Sequence, residues 1–376
     1  MLGPSGLYGI LSEDFGRPVR IKRGEVADVE PMVDASLTAD SALDQDLSLR
    51  DARRVGEKLK ARRAGAPVPR EPALRGMSIA EPPVLPFHGT DFIRRRNGRA
   101  LAGLIKGWCA EHGVDQAAIW ISVPTAECVL EHLKGWPVLY YCCDDFGGLA
   151  GVDHKAALAA EHRLAARADK IVVTSDALAQ KFPAGKTALI PHGVDFDLFA
   201  TDAPRASDLP AGKVAGFYGS LSSWVDTGLL AHTAKLKPDW HFFLIGQVEA
   251  DMAGLEGLAN VHLAGPRDHH TLPAYAQHWS ASLLPFRDTP QIRACNPLKL
   301  REYLAAGAPV IATDFPEARR YTPEITVIER NAHALSEALD ASLSSSREEC
   351  GARRARVAGE GWTARAQAVK SFTSFI

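Results

Sequence analysis

The chain has 376 residues, 46% of them hydrophobic, which suits two domains with sizeable cores. A formal net charge of -2 gives no global electrostatic case for nucleic acid, and no apolar run approaches the roughly 18 residues of a membrane span. The six cysteines lack metal-ligand spacing and a chain this long needs no disulfide scaffold, so a reducing cytoplasm is the expected compartment. The first residues carry neither a basic region nor an apolar core, so no secretory leader is expected.

Residues 1–75 read as an atypical N-terminal segment, partly helical or flexible. Residues 24–50 are acidic and poor in large apolar side chains, residues 50–63 look helical and basic, and residues 64–72 form a linker rich in Pro, Ala and Gly. The basic helix is a solvated face or a contact for anionic lipid head groups. From about residue 76 the text alternates between strand and helix. An apolar stretch over Ile79–Phe87 and a helix to about Glu111 lead to strands over Ala117–Val123, Pro137–Cys143, Lys170–Thr174 and Ala188–Pro191. Helices separate these strands, so residues 76–198 read as a doubly wound parallel-sheet domain. A second series fills residues 199–345, with strands near 213–218, 241–245, 260–264, 281–285, 308–313 and 325–328. Residues 346–376 read as closing helices.

The densest signal is the segment Ala294 to Asp314. Asn296 is read as a helix N-cap, Pro297 as the first helical residue, and Gly307 as the left-handed stop before a buried strand. A helix start is a ready anion site, and Lys299 adds a full positive charge to its first turn. Glu302 follows three residues later on the same side, about 9 Å from the cap, where a carboxylate can accept two bonds from a vicinal diol. The plain alternative is a capped surface helix. Gly219 ends the first strand of the second series, and Arg287 and Arg293 precede the helix. These two arginines and Lys299 are expected to neutralise a diphosphate together. In the first series, Asp144 and Asp145 stand at a strand end and are candidates for general-base work; the alternative is a turn cap with Gly147 and Gly148. His154, His162 and His192 are further candidate bases. Trp224 is a candidate sugar contact.

The run Asn296-Pro-Leu-Lys-Leu-Arg-Glu302-Tyr-Leu-Ala-Ala-Gly-Ala-Pro-Val-Ile resembles the donor-binding segment of GT-B glycosyltransferases, group 1 (family 4). Pro191 to Phe199, Phe217 to Leu221 and Asn260 to Gly265 support the resemblance. Residues 82–148 are similar to the subgroup that builds exopolysaccharide or teichuronic-acid-type polymers. The resemblance covers about residues 76–376 and implies an α/β fold of two Rossmann-like domains facing a cleft. It implies a hexosyltransferase that takes a nucleotide-diphosphate sugar and a glycan or lipid-linked acceptor. Glu302 would hold the ribose, the amides of Asn296, Pro297 and Leu298 would surround the diphosphate or sugar, and Gly219 would admit the diphosphate closely. The final helix would cross back to the first domain, and no fixed metal would be needed. The implied place is the cytoplasm, with peripheral contact on the inner face of the cell membrane.

Three features depart from the family's pattern. Ala294 stands where its first glutamate would be, Ser222, Ser223 and Trp224 replace its basic pair, and residues 1–75 lack its opening strand, glycine loop and helix. Two alternatives therefore stay open: a catalytically inactive homologue that binds a nucleotide or a partner enzyme, and a sugar-nucleotide epimerase.

Overall fold

The computed structural model describes residues 10–11, 19–22, 77–80, 84–85, 90–115, 117–148, 154–252 and 254–374. The basic helix expected over 50–63 and the linker over 64–72 lie outside them. The backbone pairs β1 (Ile10–Leu11), β2 (Val19–Lys22) and β3 (Met77–Ala80) into a three-stranded antiparallel sheet in the order β1-β2-β3.

A four-stranded parallel sheet follows: β4 (Ile119–Ile121), β5 (Val138–Cys142), β6 (Lys170–Val173) and β7 (Thr187–Leu189), in chain order. Side chains alternate across a strand, so each strand serves two layers. Ile119, Ile121, Val138, Tyr140, Ile171 and Val173 face one way and pack against the helices Asp91–Glu111 and His154–Arg167. Leu139, Val172 and Ile190 face the other way and pack on Val369 and Phe372 of the helix Trp362–Phe372. The helix Trp362–Phe372 thus crosses back and covers the second face of the first sheet. The helix expected from Pro124 to about Lys134 is a 3-10 helix over Pro124–Glu131.

The second sheet has six parallel strands: β8 (Lys213–Tyr218), β9 (Trp240–Ile245), β10 (Val261–Leu263), β11 (Ala281–Leu284), β12 (Val310–Thr313) and β13 (Thr326–Ile328). Their order is β10-β9-β8-β11-β12-β13, so the winding reverses between β8 and β11. Burial on both faces explains why β8, β11 and β12 are near-continuous apolar runs. The edge strand β10 is only half-buried, which fits its mixed Val-His-Leu sequence. Gly307 ends the helix Leu298–Ala306 in the left-handed conformation, φ 89°, as its sequence predicts.

The two sheets meet through named bonds. Ser175 Oγ donates to the Ala294 carbonyl at 2.6 Å, and Arg320 pairs with Asp176 at 2.7 Å. The peptide of His192, in the segment joining the sheets, is held at both ends. Its N–H donates to Asn296 Oδ1 at 3.2 Å and its carbonyl accepts from Arg365 Nε at 3.2 Å.

Val369 is 5% exposed, so Val369→Asp places a carboxylate against Leu139, Val172 and Ile190. We expect a loss of about 3 kcal/mol or more in urea unfolding, in the range for an unpaired buried polar or charged group. An unchanged midpoint would show that the crossing helix does not support the first sheet.

Candidate active site

In open α/β sheets, ligands bind beyond the carboxyl ends of the strands where the winding reverses. Here that point lies between β8 and β11, and Lys299 sits in it. Its Nζ lies 4.9 Å from the Phe217 ring centre at the end of β8 and 5.7 Å from that of Phe286 just beyond β11. The ammonium approaches so closely that a Cβ on Gly219 would stand 2.4 Å from Nζ. Gly219 also has φ 128°, and a Cβ on Gly246, φ 150°, would stand 2.0 Å from the Gly219 carbonyl oxygen. Backbone shape therefore requires both glycines, and the absence of a Cβ at Gly219 leaves the space that the Lys299 ammonium fills. Among the described residues no carboxylate lies within ion-pair distance of Lys299. Burial lowers its pKa to about 8, because desolvation disfavours the charged form.

The helix that carries Lys299 begins one residue later than its sequence suggests. Pro297 is the N-cap, in extended conformation, and no side chain caps the first turn. Asn296 does not cap the helix, because tertiary bonds take its oxygen. Oδ1 accepts from the His192 N–H and, at 2.8 Å, from Arg301 Nη1. The N–H groups of Leu298 and Lys299 are thus left without a side-chain cap, while that of Leu300 donates to the Pro297 carbonyl at 3.2 Å. Leu298 opens the helix itself.

Glu302 lies on the same helix and is nearly buried, but it is not a bare carboxylate. Tyr218 Oη donates to Oε2 at 2.6 Å and His269 Nε2 stands 3.0 Å from Oε1. The hydrogen bond to Glu302 raises the His269 pKa, so this imidazole is favoured as a donor to the carboxylate. Each carboxylate oxygen has a second lone pair, which leaves room for a diol. Tyr218 and His269 are candidate site residues the sequence did not single out. Their spacing of 84 and 33 residues from Glu302 carries no local signal.

The expected trio of cations does not form. Arg293 is exposed and makes a two-pronged pair with Asp288, both bonds 2.7 Å, and Arg287 is exposed with Nη2 3.5 Å from Thr227 Oγ1. Only Lys299 lies under the glycine turn. Trp224 packs partly against the core.

The pair Asp144 and Asp145 also divides. Asp145 accepts from Lys181 at 2.8 Å and from the Gly147 N–H at 3.3 Å, so it holds its turn together. Asp144 has no side-chain partner among the described residues. Burial, and then the charge of Asp145, push its pKa up to about 7. Burial, and then the charge of Asp144, push the pKa of the Cys295 thiol up, while the charge of Lys299 pulls it down. His192 is pushed down to about 3 by burial and by Arg301 and Arg365, so it is a neutral acceptor for Tyr141 Oη at 3.0 Å. His154 and His162 are exposed on the helix His154–Arg167.

Gly219→Ala forces a Cβ onto the ammonium at a backbone angle that L side chains rarely adopt. We expect a stability loss of about 1–3 kcal/mol by thermal unfolding. Gly185→Ala, where a Cβ meets nothing within 4 Å, is the control and should cost far less. Equal losses would mean that the Gly219 backbone carries no strain that only glycine relieves.

Residues 212–345 match the family model described as glycosyl transferases group 1. TuaH of Bacillus subtilis (strain 168), provisionally named a teichuronic acid biosynthesis glycosyltransferase, is 31% identical over 229 residues. The match covers 55% of this chain and 57% of TuaH, so the chain spans little more than half of that relative. Among solved structures, sucrose-phosphate synthase from Thermosynechococcus elongatus superposes with a TM-score of 0.63 at 20% identity, covering 86% of this chain and 92% of that one. Anabaena HepE, solved with UDP and glucose, gives 0.59 at 14% identity, covering 74% and 83%. The second sheet, with its reversal between β8 and β11, lies within the residues that match the glycosyl transferases group 1 model, and the two parallel sheets agree with the fold of the solved structures.

Proposed function

We propose that the chain is a glycosyltransferase that moves a sugar from a nucleotide-diphosphate sugar to a glycan or lipid-linked acceptor in cell-surface polysaccharide biosynthesis. The observation that carries this reading is Lys299, a desolvated ammonium without a carboxylate partner, beside an uncapped helix start. A diphosphate supplies the charge that Lys299 lacks, and the first-turn N–H groups add donors. Glu302, with Tyr218 and His269 orienting it, accepts from the ribose hydroxyls. As the bond to the sugar breaks, negative charge grows on the diphosphate and the ammonium stabilises it. This reading assigns that charge to protein groups and needs no fixed metal.

Asp144 is the acceptor-side group in this account. With a pKa of about 7 it is half ionised near neutrality, so it can take a proton from an acceptor hydroxyl. Asp145 is committed to Lys181. The acceptor class follows the name of TuaH and its 31% identity to this chain. A lipid-linked acceptor would bring the protein to the inner face of the membrane as a peripheral partner. Among the described residues no helix is long and apolar enough to cross it.

The test is calorimetry with UDP and GDP, followed by turnover of the matching labelled nucleotide-sugar on a membrane extract. We expect one of the two to bind. Lys299→Met and Glu302→Ala should each weaken that binding about tenfold or more, the loss of one charge-assisted bond. No binding by the native chain would remove the proposal. Asp144→Asn should lower turnover about a hundredfold while leaving nucleotide affinity within about twofold. The rate should rise with pH toward about 7 as Asp144 ionises and fall above about 8 as Lys299 loses its proton. A flat profile from pH 6 to 9 would contradict both roles.

A further inference from the structure

The second domain has another concave surface, at the starting ends of β11 and β12, away from the glycine turn. It is a groove of about 600 Å3 lined by Arg347, Arg353, Arg354, Asp202, His278 and Trp279 among others. Its floor is the far end of the helix that carries Lys299. Arg353 Nε donates to the Gly307 carbonyl at 2.9 Å and Arg354 Nη2 to the Ala306 carbonyl at 3.2 Å.

The cations in this groove exceed what the helix end needs. Arg353 is 7% exposed, and apart from Gly307 its guanidinium donates only to Ser345 Oγ, at 2.7 Å. Arg354 Nε is buried without a hydrogen-bond partner. Among the described residues no carboxylate lies within ion-pair distance of Arg347, Arg353 or Arg354. Among the described residues the lining holds a single carboxylate, the exposed Asp202. Capping by the helix carbonyls accounts for one edge of Arg353 and of Arg354. It leaves the other donors, and two half-desolvated positive charges, without counterparts, an arrangement that costs free energy unless an anion completes it. The indole N–H of Trp279 is also buried and unbonded.

We propose that this groove binds a small phosphomonoester, with Arg354 and Arg347 gripping the phosphate and Arg353 fixing the groove's floor. Guanidinium forks match phosphate oxygens geometrically, and a space of this size suits a metabolite near the size of a hexose phosphate. The site is separate from the Lys299 pocket. The nine-residue helix between them is about 13 Å long at its ordinary rise.

Glucose 6-phosphate and inorganic phosphate, titrated calorimetrically into the full chain, test this. We expect saturable one-to-one binding of at least one of them, retained in Lys299→Met. Arg354→Gln should weaken it about tenfold or more, and Arg347→Gln, on the exposed rim, should weaken it measurably while leaving the fold intact. A thermal melt of each variant separates lost binding from lost structure. No binding below about 10 mM would overturn the proposal, as would full affinity in both arginine variants. Loss of binding in Lys299→Met would also overturn it, by placing the phosphate in the donor pocket.

Discussion

The uncompensated charge of Lys299 is the constraint that the rest of the second domain answers to. An ammonium placed between two aromatic rings and below a backbone turn loses much of its hydration. The chain accepts this only by shaping its surroundings. Gly219 and Gly246 carry no Cβ where one would strike the ammonium or the neighbouring peptide. Phe217 and Phe286 offer ring faces, which attract a cation. Tyr303, on the same helix, accepts the Tyr218 N–H at 3.0 Å and so fixes the end of β8. The cost of holding this charge is borne by the core, and in the proposed function an arriving anion offsets it.

A second charge, Arg301, is treated in the opposite way. It is 1% exposed and fully partnered, by Glu317 at 2.9 Å, Glu360 at 2.8 Å and Asn296 at 2.8 Å. Glu360 also accepts from Tyr321 and Arg365, each at 2.8 Å. Through Asn296 and Arg365 this cluster holds the His192 peptide between the two sheets. Removing one partner would strand a buried charge, which is far more costly than never burying the set. Two neighbouring residues of one helix thus do different work. Arg301 fixes where the helix start stands, and Lys299, left unpaired, supplies what the helix start presents.

Much of this was legible in the sequence where the signal is local. Strand runs, the Gly307 stop and the glycine turn after β8 follow from backbone preferences and burial, and the structure has them. Non-local pairing was not legible. Asn296 has every local credential of an N-cap, yet the His192 amide and Arg301 win its oxygen. Glu302 stands out in the sequence as a carboxylate for a diol, but its partners Tyr218 and His269 do not, because they are distant in the chain. Arg293 was counted toward a diphosphate, although Asp288, five residues before it, is close enough to neutralise it. Asp144 and Asp145 look equivalent in sequence; Lys181, 36 residues from Asp145, tells them apart. The covering of the first sheet by residues 362–372 came from the resemblance, since nothing in that helix's composition names its partner.

In the proposed function the Lys299 amine, weakened as a base by burial, is restored to full charge when an anion arrives. Its folded pKa of about 8 lies below the ordinary lysine value of 10.5, and a bound diphosphate should raise it again. Near pH 8.5 binding must then draw protons from solution, and affinity should fall up to about tenfold for each pH unit above about 8. Calorimetric titration of the nucleoside diphosphate that binds, near pH 8.5 in buffers of different ionisation enthalpy, measures that uptake directly. The account predicts uptake of a substantial fraction of one proton by the native chain and none by Lys299→Met. Equal uptake by both proteins, or none by either, would contradict it.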